Sequence, residues 1–270
     1  MYQRLATNSI SRGNKVASIL LQGRQALQTD FDEEFERMQR IFDILLSASA
    51  LALLSPFLIL LVLLLRFTGE GKVFFRQKRI GKDGAPFNLY KFATMLENSP
   101  NIGTGTVTIK DDPRILPMGA MLRRTKINEL PQLLNILLGD MSLIGPRPQT
   151  ERCFDAFPLA LQTIIVKVRP GLSGLGSVVF RGEEDILPGE PEKLCIYDQV
   201  IAPYKGQIEA WYVEHATLDT YFAIISVTIW TVLFPGSDLV WRVFAHLPEP
   251  PDELKSALHY PPTAPARVAG

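Results

Sequence analysis

Residues Ile41 to Phe67 read IFDILLSASALALLSPFLILLVLLLRF, and this stretch decides what kind of protein the chain becomes. Before Arg66 its one ionisable side chain is Asp43, close to its start. About 20 apolar residues suffice for a helix to cross a bilayer, so the sequence predicts a membrane helix. A cleavable signal peptide is not expected, because a long polar stretch precedes the run and no small-residue cleavage site follows it. Ser55-Pro56 falls inside. Proline removes a helical hydrogen bond and crowds the preceding turn, which predicts a kink. Two topologies fit: a kinked single span, or a re-entrant hairpin with both ends on one face. Arg37 and Arg40 lead in, while Arg66, Lys72, Arg76, Lys78 and Arg79 lead out. Cations on both flanks do not choose between the topologies by the positive-inside rule. Placing both ends in the cytoplasm removes that conflict.

Working outward, the 270 residues suit one or two domains with a sizeable core. Lys plus Arg (28) equals Asp plus Glu (28), so no global field steers the chain toward nucleic acid or an anionic surface. The balance hides a local surplus: from Arg66 to Pro148 there are 13 Lys/Arg against 7 Asp/Glu. These cations are interleaved with apolar sequence and accompany no nucleic-acid motif, so that partner is disfavoured. Cys153 and Cys195 match no metal spacing and make no disulfide framework, which suits a reducing compartment. His215, His246 and His259 are too scattered to suggest a metal site or a Ser-His-Asp triad.

Four segments follow. Residues 1–36 form a polar extension, 37–67 the membrane helix, 68–246 a cytoplasmic domain, and 247–270 a Pro-rich tail expected to be disordered. Tyr221 to Phe234 is too short for a comfortable span. It reads equally as a core helix or as one lying on a membrane surface, with Trp230, Trp241 and Phe244 at headgroup level. Short strands are expected at 72–75, 87–92 and 105–110, with a turn at Gly81 to Gly84. No βαβ period and no GxGxxG appear, so a Rossmann or P-loop nucleotide site is disfavoured.

The stretch from Leu122 to Pro148 carries the chemistry. Leu130, Leu133, Leu134, Leu137 and Leu138 recur at helical spacing and predict one buried face. Asn128 is a good N-cap, Pro131 is tolerated in the first turn, and Gly139 is the expected stop. Glu129 then falls at the electropositive helix start, where Arg123, Arg124 and Lys126 would also favour a phosphate. Compensation of the helix dipole explains a first-turn glutamate equally well, and Asp140 could simply make a turn. Arg147 stands between Pro146 and Pro148, which stiffen the backbone beneath a guanidinium suited to bidentate phosphate contact.

At these residues the chain resembles the bacterial sugar transferase family, the monotopic polyprenyl-phosphate phosphoglycosyl transferases. The resemblance runs from Arg40 to Pro148 through Phe42-Asp43, Ser55-Pro56, Val73-Phe74-Phe75-Arg76-Gln77, Lys91-Phe92, Asp112-Pro113-Arg114, Glu129-Leu130-Pro131-Gln132-Leu133, Gly139-Asp140-Met141-Ser142 and Gly145-Pro146-Arg147-Pro148. A weaker echo continues over Arg169 to Gly174. The resemblance implies an α+β fold: a mostly helical, membrane-associated catalytic domain with a small β-sheet and one re-entrant helix. It implies transfer of a sugar 1-phosphate from a nucleotide sugar, usually a UDP-sugar, to undecaprenyl phosphate with Mg²⁺ and release of UMP. That step initiates exopolysaccharide or other surface-glycan assembly on the cytoplasmic face of the bacterial inner membrane. Assembly partners or a homo-oligomer are compatible with it. Glu129 and Asn128 take the catalytic positions, Arg76, Lys91, Arg114, Arg123, Arg124 and Arg147 the substrate-binding ones, and Glu129 with Asp140 the metal.

One departure matters. The family pairs Asp with Glu, and here the pair is Asn128-Glu129; Ala93 also replaces an Arg of the family pattern. Asn cannot form an acyl phosphate or give a metal a negative ligand. Glu129 then acts as the nucleophile itself, or the lipid phosphate attacks directly while Glu129 binds Mg²⁺, or the protein is a catalytically silent scaffold of a glycan-assembly complex. The intact cations favour an enzyme. Stabilisation against heat by Mg²⁺ and a nucleotide sugar discriminates the scaffold.

Overall fold

A computed structural model describes residues 2–68, 70–102, 112–182 and 195–261, with side chains of the first helix from residue 33 onward. The chain divides into two compact units, residues 1–42 and 43–270. The strand expected at 105–110 and the last residues of the tail, 262–270, lie outside the described residues, as do the side chains of most of the polar extension.

Helix α1 runs Tyr2–Arg66 and continues through Pro56. Pro56 has no N–H to offer the carbonyl of Ala52, and the Ser55 hydroxyl donates to that carbonyl instead at 2.8 Å. The Ser-Pro pair thus repairs the bond its proline removes. Among the described residues this is the one helix long and apolar enough to cross a membrane, by length and composition. A helical stripe of α1 is covered: Asp43, Ser47, Leu61 and Leu65 are buried. The opposite face is bare, with Leu53 at 81 % and Leu60 at 65 % exposure.

What covers the stripe is the rest of the unit. Strands β1 (Phe74–Ile80) and β2 (Pro86–Phe92) form an antiparallel hairpin, longer than the sequence suggests, about a turn with Asp83 and Gly84 at positive φ. Helix α2 (Pro117–Arg124) follows, and Leu122 packs with Phe92, Leu61 and Leu65. Helix α3 (Gln132–Leu138) joins Leu133 and Ile136 to Leu89 and Met141, against Ala50 and Leu51 of α1. Burial of such side chains contributes about 1.5–3 kcal/mol each. Strand β3 (Ser142–Ile144) pairs in parallel with β4 (Gly171–Ser173), a two-stranded element that no alternation in the sequence announces. Between them lie α4 (Glu151–Asp155) and α5 (Leu159–Ile165). Helices α6 (Leu175–Val179), α7 (Ala202–Glu214), α8 (Leu218–Leu233), α9 (Leu239–Val243) and α10 (Asp252–Lys255) complete a mixed, helix-rich fold with small sheets.

Three local expectations are corrected. Helix α3 begins at Gln132 behind a 3₁₀ turn, Ile127–Glu129, so Asn128 is not its N-cap. Its buried positions are Gln132, Leu133, Asn135 and Ile136, while Leu134 and Leu138 are exposed. Asn135 wins a buried place because its side chain bridges elements: Oδ1 accepts from Tyr90 N at 3.0 Å and Nδ2 donates to Asn88 O at 2.8 Å. Gly139 does stop the helix, in the left-handed conformation at φ 96°. Second, Trp241 and Phe244 are buried core residues, not headgroup anchors; Trp241 Nε1 donates to Leu258 O at 3.0 Å. Third, the tail from 247 to 261 is not shapeless. Leu247, Leu254 and Leu258 are buried, and Trp241 meets Tyr260 edge to face. Prolines dominate its composition, yet three leucines find an apolar surface that the local sequence cannot show.

Candidate active site

The hairpin supplies one wall of a cleft of about 1320 Å³. Successive strand residues point to opposite faces, and Phe75 lies across from Lys91 in the register. Phe75, Gln77, Arg79 and Lys91 therefore share a face, and all four line the cleft. Arg76 and Lys78 fall on the other side.

The second wall comes from α2 and the turn after it. Arg123 and Arg124 end the helix, and the Thr125 hydroxyl donates back to Met121 O at 2.9 Å. Lys126 then adopts φ 60°, a left-handed backbone unusual for a side chain of its size. That reversal turns Asn128 and Glu129 into the cleft. The Asn128 side chain is buried, and its Oδ1 has no hydrogen-bond partner among the described residues.

The third wall is the loop Gly145 to Pro148. Its backbone is held from three directions. Gly145 N–H donates to Ser173 O at 3.0 Å, Gly171 N–H donates to Pro146 O at 2.8 Å, and Arg79 Nη1 donates to Pro148 O at 3.0 Å. Arg147 N–H donates to Glu209 Oε1 at 3.0 Å. From this fixed loop Arg147 Nη2 reaches Glu129 Oε1 at 3.2 Å, and Lys91 Nζ lies 3.7 Å from the same oxygen.

Electrostatics follow from that triangle. Burial by itself would raise the Glu129 carboxyl, but Arg147, Lys91 and Lys126 outweigh it and hold the group down at about 2. Glu129 is thus a carboxylate throughout the neutral range. Burial lowers Lys91 to about 7; Glu129 resists this, and Arg79, Arg147 and Arg123 add to it. Burial, and Arg147 beside it, lower Arg79 to about 10. Cations are crowded here against their own repulsion, around the Glu129 carboxylate, in a cleft that admits a ligand. A polyanion relieves that repulsion.

The site residues expected from the sequence divide accordingly. Lys91, Arg123, Arg124, Asn128, Glu129 and Arg147 line the cleft together. Arg76 faces away. Arg114 is 5 % exposed and closed: its Nε and Nη2 bond the Asp112 carboxylate at 2.8 and 2.5 Å, and Nη1 bonds Ser99 O and Ile102 O. Asp140 lies beyond the far end of α3, accepts from Asn135 Nδ2 at 3.1 Å and is not part of the cleft lining. Arg79, outside every quoted word, and Gln77, inside one but not expected at the site, also line the cleft. Strand alternation is the available signal: placing Lys91 in the site selects 75, 77 and 79 across from it, not 76.

Among the described residues no cluster of three or more His, Cys, Asp or Glu side chains stands ready for a metal ion. Mg²⁺ is nonetheless commonly held by one or two protein oxygens with water and substrate phosphates completing its shell. The Glu129 carboxylate and the unpartnered Asn128 Oδ1 fit that minimal role; Asp140 does not.

The same lining carries apolar side chains: Leu46 and Ala50 of α1, Leu143, Leu172, and Ile225 and Ile229 of α8. Helix α8 buries Tyr221, Ile224 and Val227, yet exposes Ile229, Trp230 and Leu233.

The chain is similar to known proteins over most of its length. Residues 35–235 match the family model described as bacterial sugar transferase. The exopolysaccharide production protein ExoY of Sinorhizobium fredii is 36 % identical over 159 residues, 54 % of this chain and 70 % of that one. A UDP-glucose:undecaprenyl-phosphate glucose-1-phosphate transferase of Caulobacter vibrioides is 37 % identical over 177 residues, 64 % of this chain and 63 % of that one. A UDP-N-acetylgalactosamine-undecaprenyl-phosphate N-acetylgalactosaminephosphotransferase of Aeromonas hydrophila is 38 % identical over 144 residues, 53 % of this chain and 34 % of that one.

Proposed function

The chain belongs to the bacterial sugar transferase family, and from that premise we propose that it transfers a sugar 1-phosphate from a UDP-sugar to undecaprenyl phosphate, releasing UMP, to begin a surface glycan. The observation that carries the proposal is the ionised Glu129 held between Arg147 and Lys91 in a cleft that apolar side chains also line. A donor diphosphate needs the cations, and a lipid acceptor needs the apolar lining. Relatives named for glucose and for N-acetylgalactosamine leave the sugar open.

The membrane reading has its own support. Covered positions on α1 extend from Asp43 to Leu65, so the second unit holds the apolar segment along its length. A segment free to cross a bilayer would have no reason to carry Asp43, which accepts from Ser142 Oγ, Leu143 N and Tyr221 OH. The bare faces of α1 and α8 would lie in lipid, as a re-entrant helix and an interfacial helix at the cytoplasmic face of the inner membrane.

In the reaction, Arg147, Lys91, Arg79 and Arg123 bind the donor's two phosphates and offset charge as the bridging P–O bond breaks. Mg²⁺, held by Glu129 and Asn128, would supply further charge neutralisation at those phosphates. Two routes conserve the atoms. In one, a lipid phosphate oxygen attacks the sugar-bearing phosphorus and UMP leaves. In the other, Glu129 attacks first, UMP leaves, and the lipid phosphate then displaces the sugar phosphate from the carboxyl. Asn128 cannot take the nucleophile's part in either.

UMP release by purified protein with Mg²⁺ and a panel of UDP-sugars tests this, with and without undecaprenyl phosphate. Release that requires both one sugar and the lipid is the expected result for direct attack. One equivalent of UMP without lipid indicates the Glu129 route. No release with any donor from folded protein sinks the transferase reading in favour of a silent scaffold.

A further inference from the structure

Glu209 sits on α7 with 1 % of its surface exposed, and no sequence motif marks it as part of the cleft. Its Oε1 accepts the backbone N–H of Arg147 at 3.0 Å and the Gly176 N–H also favours the carboxylate, while Oε2 has no hydrogen-bond partner among the described residues. Lys205, one turn earlier on α7, is also buried, with its ammonium 5.4 Å from the Phe180 ring. A half-satisfied buried carboxyl is a poor stabiliser, since an apolar side chain of similar volume does as well or better. Space has nevertheless been made for it: a Cβ on Gly176 of α6 would lie 2.2 Å from Oε1 and 2.6 Å from the carboxyl carbon. Pro146 and Pro148 have no N–H, so Arg147 supplies the single backbone donor of this three-residue tip, and Glu209 takes it. The bond fixes the backbone position from which the Arg147 guanidinium reaches Glu129.

We propose that Glu209 is a positioning residue for the phosphate-binding cleft: by holding the Arg147 N–H it sets where the guanidinium stands and how tightly a diphosphate is held. The inference rests on the reading of this cleft as a nucleotide-sugar site. Gly176 serves it by leaving room for the carboxyl.

UDP is the probe, because its binding needs no turnover. Affinity is read from heat stabilisation of the full-length protein, beside the donor KM and kcat from UMP release. Glu209→Gln keeps the accepting oxygen and its reach, so UDP affinity and donor KM stay near those of the native protein. Glu209→Asp is one methylene short, and Gly176→Ala pushes the carboxyl away; each weakens UDP by about tenfold, the effect of about one hydrogen bond. The donor KM rises with it while kcat changes less. In a Glu209→Ala background, Gly176→Ala has nothing left to displace and adds no further loss. Unchanged UDP affinity in both Glu209→Asp and Gly176→Ala overturns the proposal. So does a Gly176→Ala loss of equal size with and without Glu209. If Glu209→Asp does not fold, the Gly176→Ala pair decides. Native protein that binds UDP but releases no UMP defeats the transferase reading and leaves this inference standing; native protein that UDP does not stabilise overturns both.

Discussion

Two carboxylate–guanidinium pairs in this molecule use the same charged groups to opposite ends. Asp112 and Arg114 are two residues apart, both buried, and joined by two parallel hydrogen bonds; two backbone carbonyls take Arg114 Nη1. Glu129 and Arg147 are 18 residues apart, joined by one bond at 3.2 Å, with the Arg147 side chain 31 % exposed. In the first pair Arg114 spends these donors on Asp112 and its own loop and does not line the cleft, although Asp112 touches it. The second is open to a cleft and shares its carboxylate with Lys91, so an arriving phosphate can compete for the cations. What separates a brace from a binding site is therefore the number of donors facing a cavity, not residue type.

That contrast can be broken in several places. The largest effect is expected at the open pair: Glu129→Gln should cut UMP release at least about a thousand-fold, some 4 kcal/mol of barrier, with expression and membrane association unchanged. Near-normal release would remove Glu129 from the chemistry. At the closed pair, Arg114→Ala strands Asp112 in the core and should cost about 3–5 kcal/mol of stability. Chemical denaturation measures this, and an unmoved midpoint would mean that the pair braces nothing.

The carboxyl behind Arg147 gives a pH signature. Glu209 is raised from 4.5 to about 7 by burial, against the Arg147 N–H and Lys205. Its contribution to stability is therefore fully present below 4.5 and lost as pH rises through 7. Glu209→Gln does not titrate, so its stability advantage over the native protein should widen by about 3 kcal/mol between those values. A constant difference from pH 4.5 to 8 contradicts the burial argument.

Smaller effects sharpen the same contrast. Arg147→Ala should raise the donor KM by about ten- to a hundred-fold, and Lys should not restore it, since an ammonium cannot make the bidentate contact. Unchanged kinetics would return Arg147 to an ordinary surface loop. Arg76→Ala, on the outer face of β1, should alter the donor KM less than about twofold; a larger change would show that the outer face also meets substrate.

Much of the fold is legible in the chain because its signals are local. The apolar run of α1, the hairpin turn at Gly81 to Gly84 and the stop at Gly139 each depend on residues a few positions apart. Asn128-Glu129 and Arg147 are likewise visible, through rigid or charged words that few core segments contain. The failures have long-range causes. Leucine spacing in α3 suggests one buried face, but the hairpin edge selects Asn135 and Ile136 instead. Trp241, Phe244 and the leucines of the proline-rich tail bury one another only once the chain has returned on itself.

By itself, then, the sequence determined an amphiphilic chain: an apolar helix, a cationic segment and a carboxylate at a sharp turn, each set by local composition and backbone preference. Tertiary structure decided which cations face a ligand. Alternation along a strand separates Arg79 from Arg76, and a shift of one residue reverses the face. Arg114 is closed by neighbours that its motif does not reveal. Arg147 is aimed by Glu209, 62 positions further along the chain. Charge is a property of the residue, but a donor facing a cavity exists only where distant segments have packed.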